Sequence, residues 1–147
     1  MADRIALLKE GRLVQVGSAQ ELFLTPASLF VAGFFSELNV FETVAENGSA
    51  ATPLGSVPAA FSSGTPLTAA VRVSNVDASE KSGEIQARVT SRRFLGDHEL
   101  AQFAIADSDD PVRAKIARGV LSANAREVFL TIRKSDVLVF ESAAANV

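Results

Sequence analysis

From Glu37 onward the chain is cut into short alternating runs by Gly, Pro, Asn and Ser. Turns fall at roughly ten-residue spacing, which points to many short strands in a small β-barrel or sandwich. Val40 to Val44 reads as a strand, and Asn47-Gly48 as a tight turn. Ala51 to Val57 can return as its partner, with a Ser/Gly/Pro loop from Ala59 to Pro66. By composition alone, Asn47 to Pro66 could equally be a linker. Leu67 to Val73 sets Leu67, Ala69, Val71 and Val73 on one face. After Ser82-Gly83, Ile85 to Phe94 is a long strand with Ile85, Ala87 and Val89 opposing Gln86, Arg88 and Thr90. Gly96-Asp97 turns it and Leu100 to Ala106 returns. Turns at Ser108–Pro111 and Arg133–Asp136 flank strands built on Val112, Ala114, Ile116 and on Val128, Leu130, Ile132. Val137 to Phe140 is the last strand, and the tail from Glu141 to Val147 is expected to fray. There is no internal repeat.

The first 36 residues have another character. Ile5–Leu8 and Leu13–Val16 flank Lys9-Glu10-Gly11-Arg12, a hairpin pattern. Ser18 and Glu21 are spaced as a capping box, in which each satisfies a free backbone N–H of the helix start. That helix should stop near Thr25, because Pro26 disfavours helix in the residue before it. Pro26 suits the first turn of a second helix capped by Thr25. There Leu29, Phe30, Val31, Phe34 and Phe35 recur at three- and four-residue spacings and form a wide apolar face. The face reads first as core packing; Leu29, Phe30, Phe34 and Phe35 are the candidate interface if it meets a partner.

Composition removes several classes of chemistry. The chain has 147 residues, no cysteine and a single histidine, His98, so thiolate sites and multi-histidine metal centres are excluded. A net charge of −3 and the absence of Tyr and Trp argue against binding nucleic acid, which wants surplus cations and stacking rings. Hydrophobic residues at 48% are enough for a packed core. No apolar segment suits a signal peptide or a membrane span, so membrane insertion is not expected. Neither phosphate-binding glycine pattern is present. The acidic run Asp107 to Asp110 lacks the Gly and terminal Glu of a calcium loop and reads as a solvated turn. No catalytic, cofactor or metal site is expected. His98, between Asp97 and Glu99, and the basic pair Arg92-Arg93 remain. Arg92, Arg93, Asp97 and His98 are the candidate ligand or regulatory surface.

The stretch Ala2 to Gly17 resembles the hairpin that follows the switch-histidine region in ABC-transporter ATPases. Ser18, Glu21-Leu22-Phe23, Pro26, Phe30-Val31-Ala32 and Phe34 continue the likeness into the last helices of that nucleotide-binding domain. Asn39-Val40 resembles the entry into the transport-associated OB-like extension of importer ATPases. Thr52–Gly55, Ala70-Val71-Arg72, Gly83–Ile85, Arg93–His98 and Val137–Phe140 are similar to parts of that extension. Arg93-Phe94-Leu95-Gly96-Asp97-His98 is most like the ferric-iron branch, with polyamine and sugar importers next. Two patterns depart. Many sugar and polyamine importers have Arg-Pro-Glu where this chain has Arg72-Val73-Ser74-Asn75. The Ser-Ala-Arg-Asn of molybdate-binding relatives is also missing, which argues against oxyanion binding in that manner.

The resemblance implies a C-terminal fragment of an importer ATPase, with Met1 either native or an added start. Residues 1–36 would be the tail of the nucleotide-binding domain, and 37–147 an OB-like regulatory domain. The fold implied is mainly β, an OB-like barrel or sandwich preceded by a β-hairpin and two short helices. The phosphate loop, Walker B carboxylates, signature motif and switch histidine lie upstream in the family, so ATP and Mg²⁺ belong to the parent protein. This fragment by itself is expected to be no enzyme. The partners implied are a second copy of the subunit and, through the parent, membrane permease subunits; the location implied is the cytoplasmic face of the bacterial inner membrane. The function implied is regulation and dimerisation in a ferric-iron importer. The alternative is a small-solute or anion-sensing barrel of a polyamine- or sugar-type importer. The apolar faces of residues 5–36 are expected to fold back on the barrel, pair with a second chain, or swap.

Overall fold

The computed structural model describes residues 3–142, and within them the chain is mainly antiparallel β. β1 (Ile5–Lys9) and β2 (Arg12–Gly17) form the hairpin. Its turn residues Glu10 and Gly11 have φ of 51° and 78°, the left-handed pair that matches strand twist in a two-residue turn. α1 (Ala19–Leu24) carries the full capping box: Glu21 N donates to Ser18 Oγ at 3.1 Å, and Ser18 N to Glu21 Oε2 at 2.8 Å.

α2 (Leu29–Phe35) starts later than the sequence suggests, and its cap is Ser28 rather than Thr25. The cause is Gln15 on β2. Its side chain accepts from Ala27 N at 2.8 Å and donates to Thr25 O at 3.1 Å, holding 25–27 out of helix. The Thr25 hydroxyl turns back to donate to Glu21 O. Leu7, Leu22 and Val31, with Ile5, Val14, Phe30 and Phe35 against them, make a small separate core for this N-terminal unit.

The remainder forms two five-stranded sheets. One follows the order β12-β6-β3-β4-β5, made of β3 (Leu38–Glu46), β4 (Ser49–Thr52), β5 (Gly55–Pro58), β6 (Pro66–Arg72) and β12 (Leu138–Glu141). The expected single strand from Ala51 to Val57 is two strands. Pro53 cannot donate to a ladder, and Thr52 closes a turn by donating to Gly55 O at 2.7 Å and accepting from Leu54 N at 3.1 Å. Residues 47–66 are thus a packed hairpin and loop, not a linker. β6 lies between β12 and β3, and its whole run from Leu67 to Arg72 is buried on both faces.

The other sheet has the order β10-β9-β8-β11-β7, from β7 (Val76–Ser79), β8 (Ile85–Phe94), β9 (His98–Ala104), β10 (Val112–Ala117) and β11 (Glu127–Ile132). Its edge strands β10 and β7 lie against each other, so the sheet curls into a nearly closed barrel. β7 was not foreseen, and Val73 belongs to a short 3-10 turn (Val73–Asn75) rather than to the preceding strand. Phe103, Leu130, Val128, Val112 and Val76 fill the interior, and Leu54 from the β4–β5 turn joins them. Ala45, Ala50, Val57 and Leu67 form a second cluster under the first sheet. Ser142 is the last described residue, so most of the tail expected to fray lies outside the described residues. No described helix is long and apolar enough to cross a membrane.

Candidate functional site

The N-terminal unit meets the barrel across a short connection, and four residues fasten it. Asn39 is buried, and its side chain acts as a strand edge: Nδ2 donates to Arg113 O and Oδ1 accepts from Arg113 N, both at 2.8 Å. The Arg113 guanidinium donates to Leu38 O at 2.8 Å and pairs with Glu37 at 3.2 Å. Val73 N donates to Glu37 O at 3.0 Å. Arg72, at the end of β6, reaches the other way. It is 5% exposed and donates to Phe23 O and to Ser36 Oγ, with its guanidinium 4.1 Å from the centroid of the Phe23 ring.

No carboxylate forms an ion pair with Arg72 among the described residues. Burial pulls its pKa down, opposed only by the field of Asp136. A buried cation is tolerable here because two hydrogen bonds and an aromatic face replace its water.

Beside this junction lies a cleft of about 340 Å³. Phe23, Phe35, Ser36 and Glu37 form one wall; Val73 and Ser74 form its floor; Arg93, Leu95, His98, Leu100 and Lys115 form the other wall. The strand registers explain the second wall. Arg93 pairs with Leu100, which pairs with Lys115, so the three form one row across β8, β9 and β10 on the outer face. His98 lies two residues from Leu100 on that face.

Of the four expected surface residues, the cleft holds Arg93 and His98. Asp97 is beside it, bonded to His98 Nδ1 at 2.5 Å with its own side chain 91% exposed. That bond and the His98 charge hold the Asp97 carboxyl below its ordinary value. Arg92 points to the opposite face, as neighbours on a strand must. There it pairs with Glu99 at 2.7 Å and donates to Ser122 O at 2.6 Å. Arg92 thereby anchors the 118–126 loop and does not share the cleft.

The expected interface residues also divide. Phe35 lines the cleft and Phe30 packs on the small core, while Phe34 is 62% exposed and Leu29 is half-buried. Sequence reasoning passed over Lys115 and gave Arg72 no role. The alternation of Val112, Ala114 and Ile116 already placed Arg113 and Lys115 outward; the register that sets Lys115 opposite Arg93 could not be read. Among the described residues no group of three His, Asp or Glu side chains is arranged to hold a metal ion.

No family model matches the chain. Several curated proteins do. The Fe(3+) ions import ATP-binding protein FbpC of Streptomyces coelicolor is 35% identical over 100 residues, which is 67% of this chain and 28% of that protein. FbpC of Streptomyces avermitilis is 31% identical over 118 residues, 80% of this chain and 34% of that protein. The spermidine/putrescine import ATP-binding protein PotA of Haemophilus influenzae is 50% identical over 58 residues, 39% of this chain and 16% of that protein. The chain therefore spans about a third or less of the relatives it matches. Among solved structures, the cytoplasmic molybdate-binding protein ModG aligns with a TM-score of 0.53 and 16% identity, over 69% of this chain and 94% of that one. That likeness concerns the fold, and agrees with an OB-like barrel. The chain is homologous, over part of their length, to the ATP-binding proteins of ABC importers.

Proposed function

We propose that this chain is the C-terminal regulatory and dimerising part of the ATPase subunit of an ABC importer for ferric iron. Residues 1–36 would be the end of its nucleotide-binding domain and 37–147 its OB-like domain. The observation that carries this reading is the continuous likeness to an Fe(3+) import protein over 118 residues. Two features support it. The N-terminal unit has a core of its own and leaves Leu8, Leu13 and Leu24 more than half exposed, as a piece seated on a further domain would. The run Arg93 to His98, which resembles the ferric branch, forms the β8–β9 corner beside the cleft.

On this reading ATP hydrolysis belongs to the rest of the parent protein. The barrel holds two subunits together and sets how readily they close. A second copy and the permease subunits are then the partners, at the cytoplasmic face of the membrane.

A chimera tests this. The matched 118 residues of the S. avermitilis protein are replaced by the matching part of this chain, in cells lacking that protein. Ferric-iron uptake should be restored. A chimera that hydrolyses ATP and supports spermidine uptake but not ferric uptake would overturn the iron assignment. Sedimentation equilibrium of the chain should show dimers, and a monomer at the highest concentration would sink the dimerising role.

A further inference from the structure

We propose that the cleft between the helices and the barrel binds a small organic anion with an apolar body, its charged head held by Arg93 and Lys115. This goes beyond the importer reading and does not depend on it.

The positions of the two cations come from the ladder. Arg93 and Lys115 flank Leu100 in one cross-strand row. With neighbouring strands about 4.8 Å apart, their Cα atoms are about 10 Å apart, a gap that two long side chains can close above Leu100. The other arginines of this sheet are already engaged: Arg88 with Glu127, Arg92 with Glu99, Arg113 with Glu37. The side chains of Arg93 and Lys115 form no ion pair and no hydrogen bond among the described residues, although the charge of Lys115 is felt at Asp97.

The acids near them are occupied. Glu37 is held by Arg113, and Asp97 by His98. With those two acids paired elsewhere, Arg93 and Lys115 are the cations in the lining without an ion-pair partner among the described residues. The opposite wall carries the rings of Phe23 and Phe35 beside Ser36 and Glu37, and the Phe23 ring is held by the guanidinium of Arg72 that lies over it. A volume of about 340 Å³ is at the small-molecule end of binding sites. Two cations in one row on one side and the rings of Phe23 and Phe35 on the other suit a carboxylate or phosphate joined to one aromatic or aliphatic group.

The test is an NMR titration of the whole chain with 3-phenylpropionate and with phenyl phosphate. The neutral 3-phenylpropanol and inorganic phosphate are the controls. Saturable shifts at the amides of Leu95, Leu100 and Phe23 are expected, with Kd on the order of 1 mM or tighter. Arg93→Gln with Lys115→Gln should weaken binding at least about tenfold, while Arg88→Gln should leave it unchanged. Both positions are exposed, so the core is untouched, and amide dispersion will verify the fold. A preference for either organic head identifies the group the cleft takes. No saturation, equal binding of the alcohol, equal binding of inorganic phosphate, or a double variant that binds normally would each overturn the proposal.

Discussion

Glu80 directly follows the end of β7, and two bonds define it. Its carboxylate accepts from Ser122 N at 2.9 Å and from Ser122 Oγ at 2.8 Å. Both bonds favour the ionised form and hold its pKa below the ordinary carboxylate value, with the Arg92 charge helping. A depressed folded pKa adds stability that is complete above the unfolded value of about 4.5 and is lost as pH falls through the folded one. The urea midpoint of the native chain should therefore drop more steeply below about pH 4.5 than that of Glu80→Gln. Parallel pH profiles would show that the pair with Ser122 contributes nothing. The residue scale is also where sequence reading reached least. Asp97 and His98 are neighbours in sequence, so their contact was legible. The Glu80–Ser122 and Asn39–Arg113 contacts join residues 42 and 74 positions apart, and no local pattern predicts them.

At the scale of elements, Gly83 decides how closely the turn before β8 approaches β11. A methyl group there would stand 2.6 Å from Phe129 Cβ and 3.1 Å from the Phe129 carbonyl carbon. The obstruction includes backbone, so it cannot be relieved by a side-chain rotation. Gly83→Ala should lower stability by about 1–3 kcal/mol, as overpacking does, read as a lower urea midpoint at unchanged slope. An unchanged midpoint would mean that the turn is free to shift. Element type was largely legible. β8 spans the expected Ile85–Phe94, with a register shift between Val89 and Ser91 that the alternation did not announce, and Asn47-Gly48 is the turn its residues announce, with φ of 50° and 78°. The errors share a cause, contacts from outside the segment. Gln15 delays α2, and β7 is only four residues, Val76–Ser79, given order by pairing with β11. The cleft was half legible, because alternation fixes which face a residue takes but not which strand lies opposite.

At the scale of the whole molecule, the contact between the N-terminal unit and the barrel depends heavily on Arg72. Arg72→Met keeps the length of the side chain and removes its charge, so it relieves desolvation but loses two charge-assisted bonds and the contact with Phe23. Such bonds contribute about 1.5–3 kcal/mol each, which outweighs the desolvation relieved and leaves a net loss on the order of 1–3 kcal/mol. Hydrogen exchange should quicken in residues 19–36 and remain slow in β9 and β11. Equal acceleration in both would mean that the two parts unfold as one unit.

The connection between those parts is short, and almost every step of it is tied to the barrel: Ser36 by Arg72, Glu37 by Arg113 and Val73, Leu38 and Asn39 by Arg113. A chain segment held this often has little slack. Rotation of the helices is then passed on as torque, and the barrel swings with them as the far arm of a stiff lever.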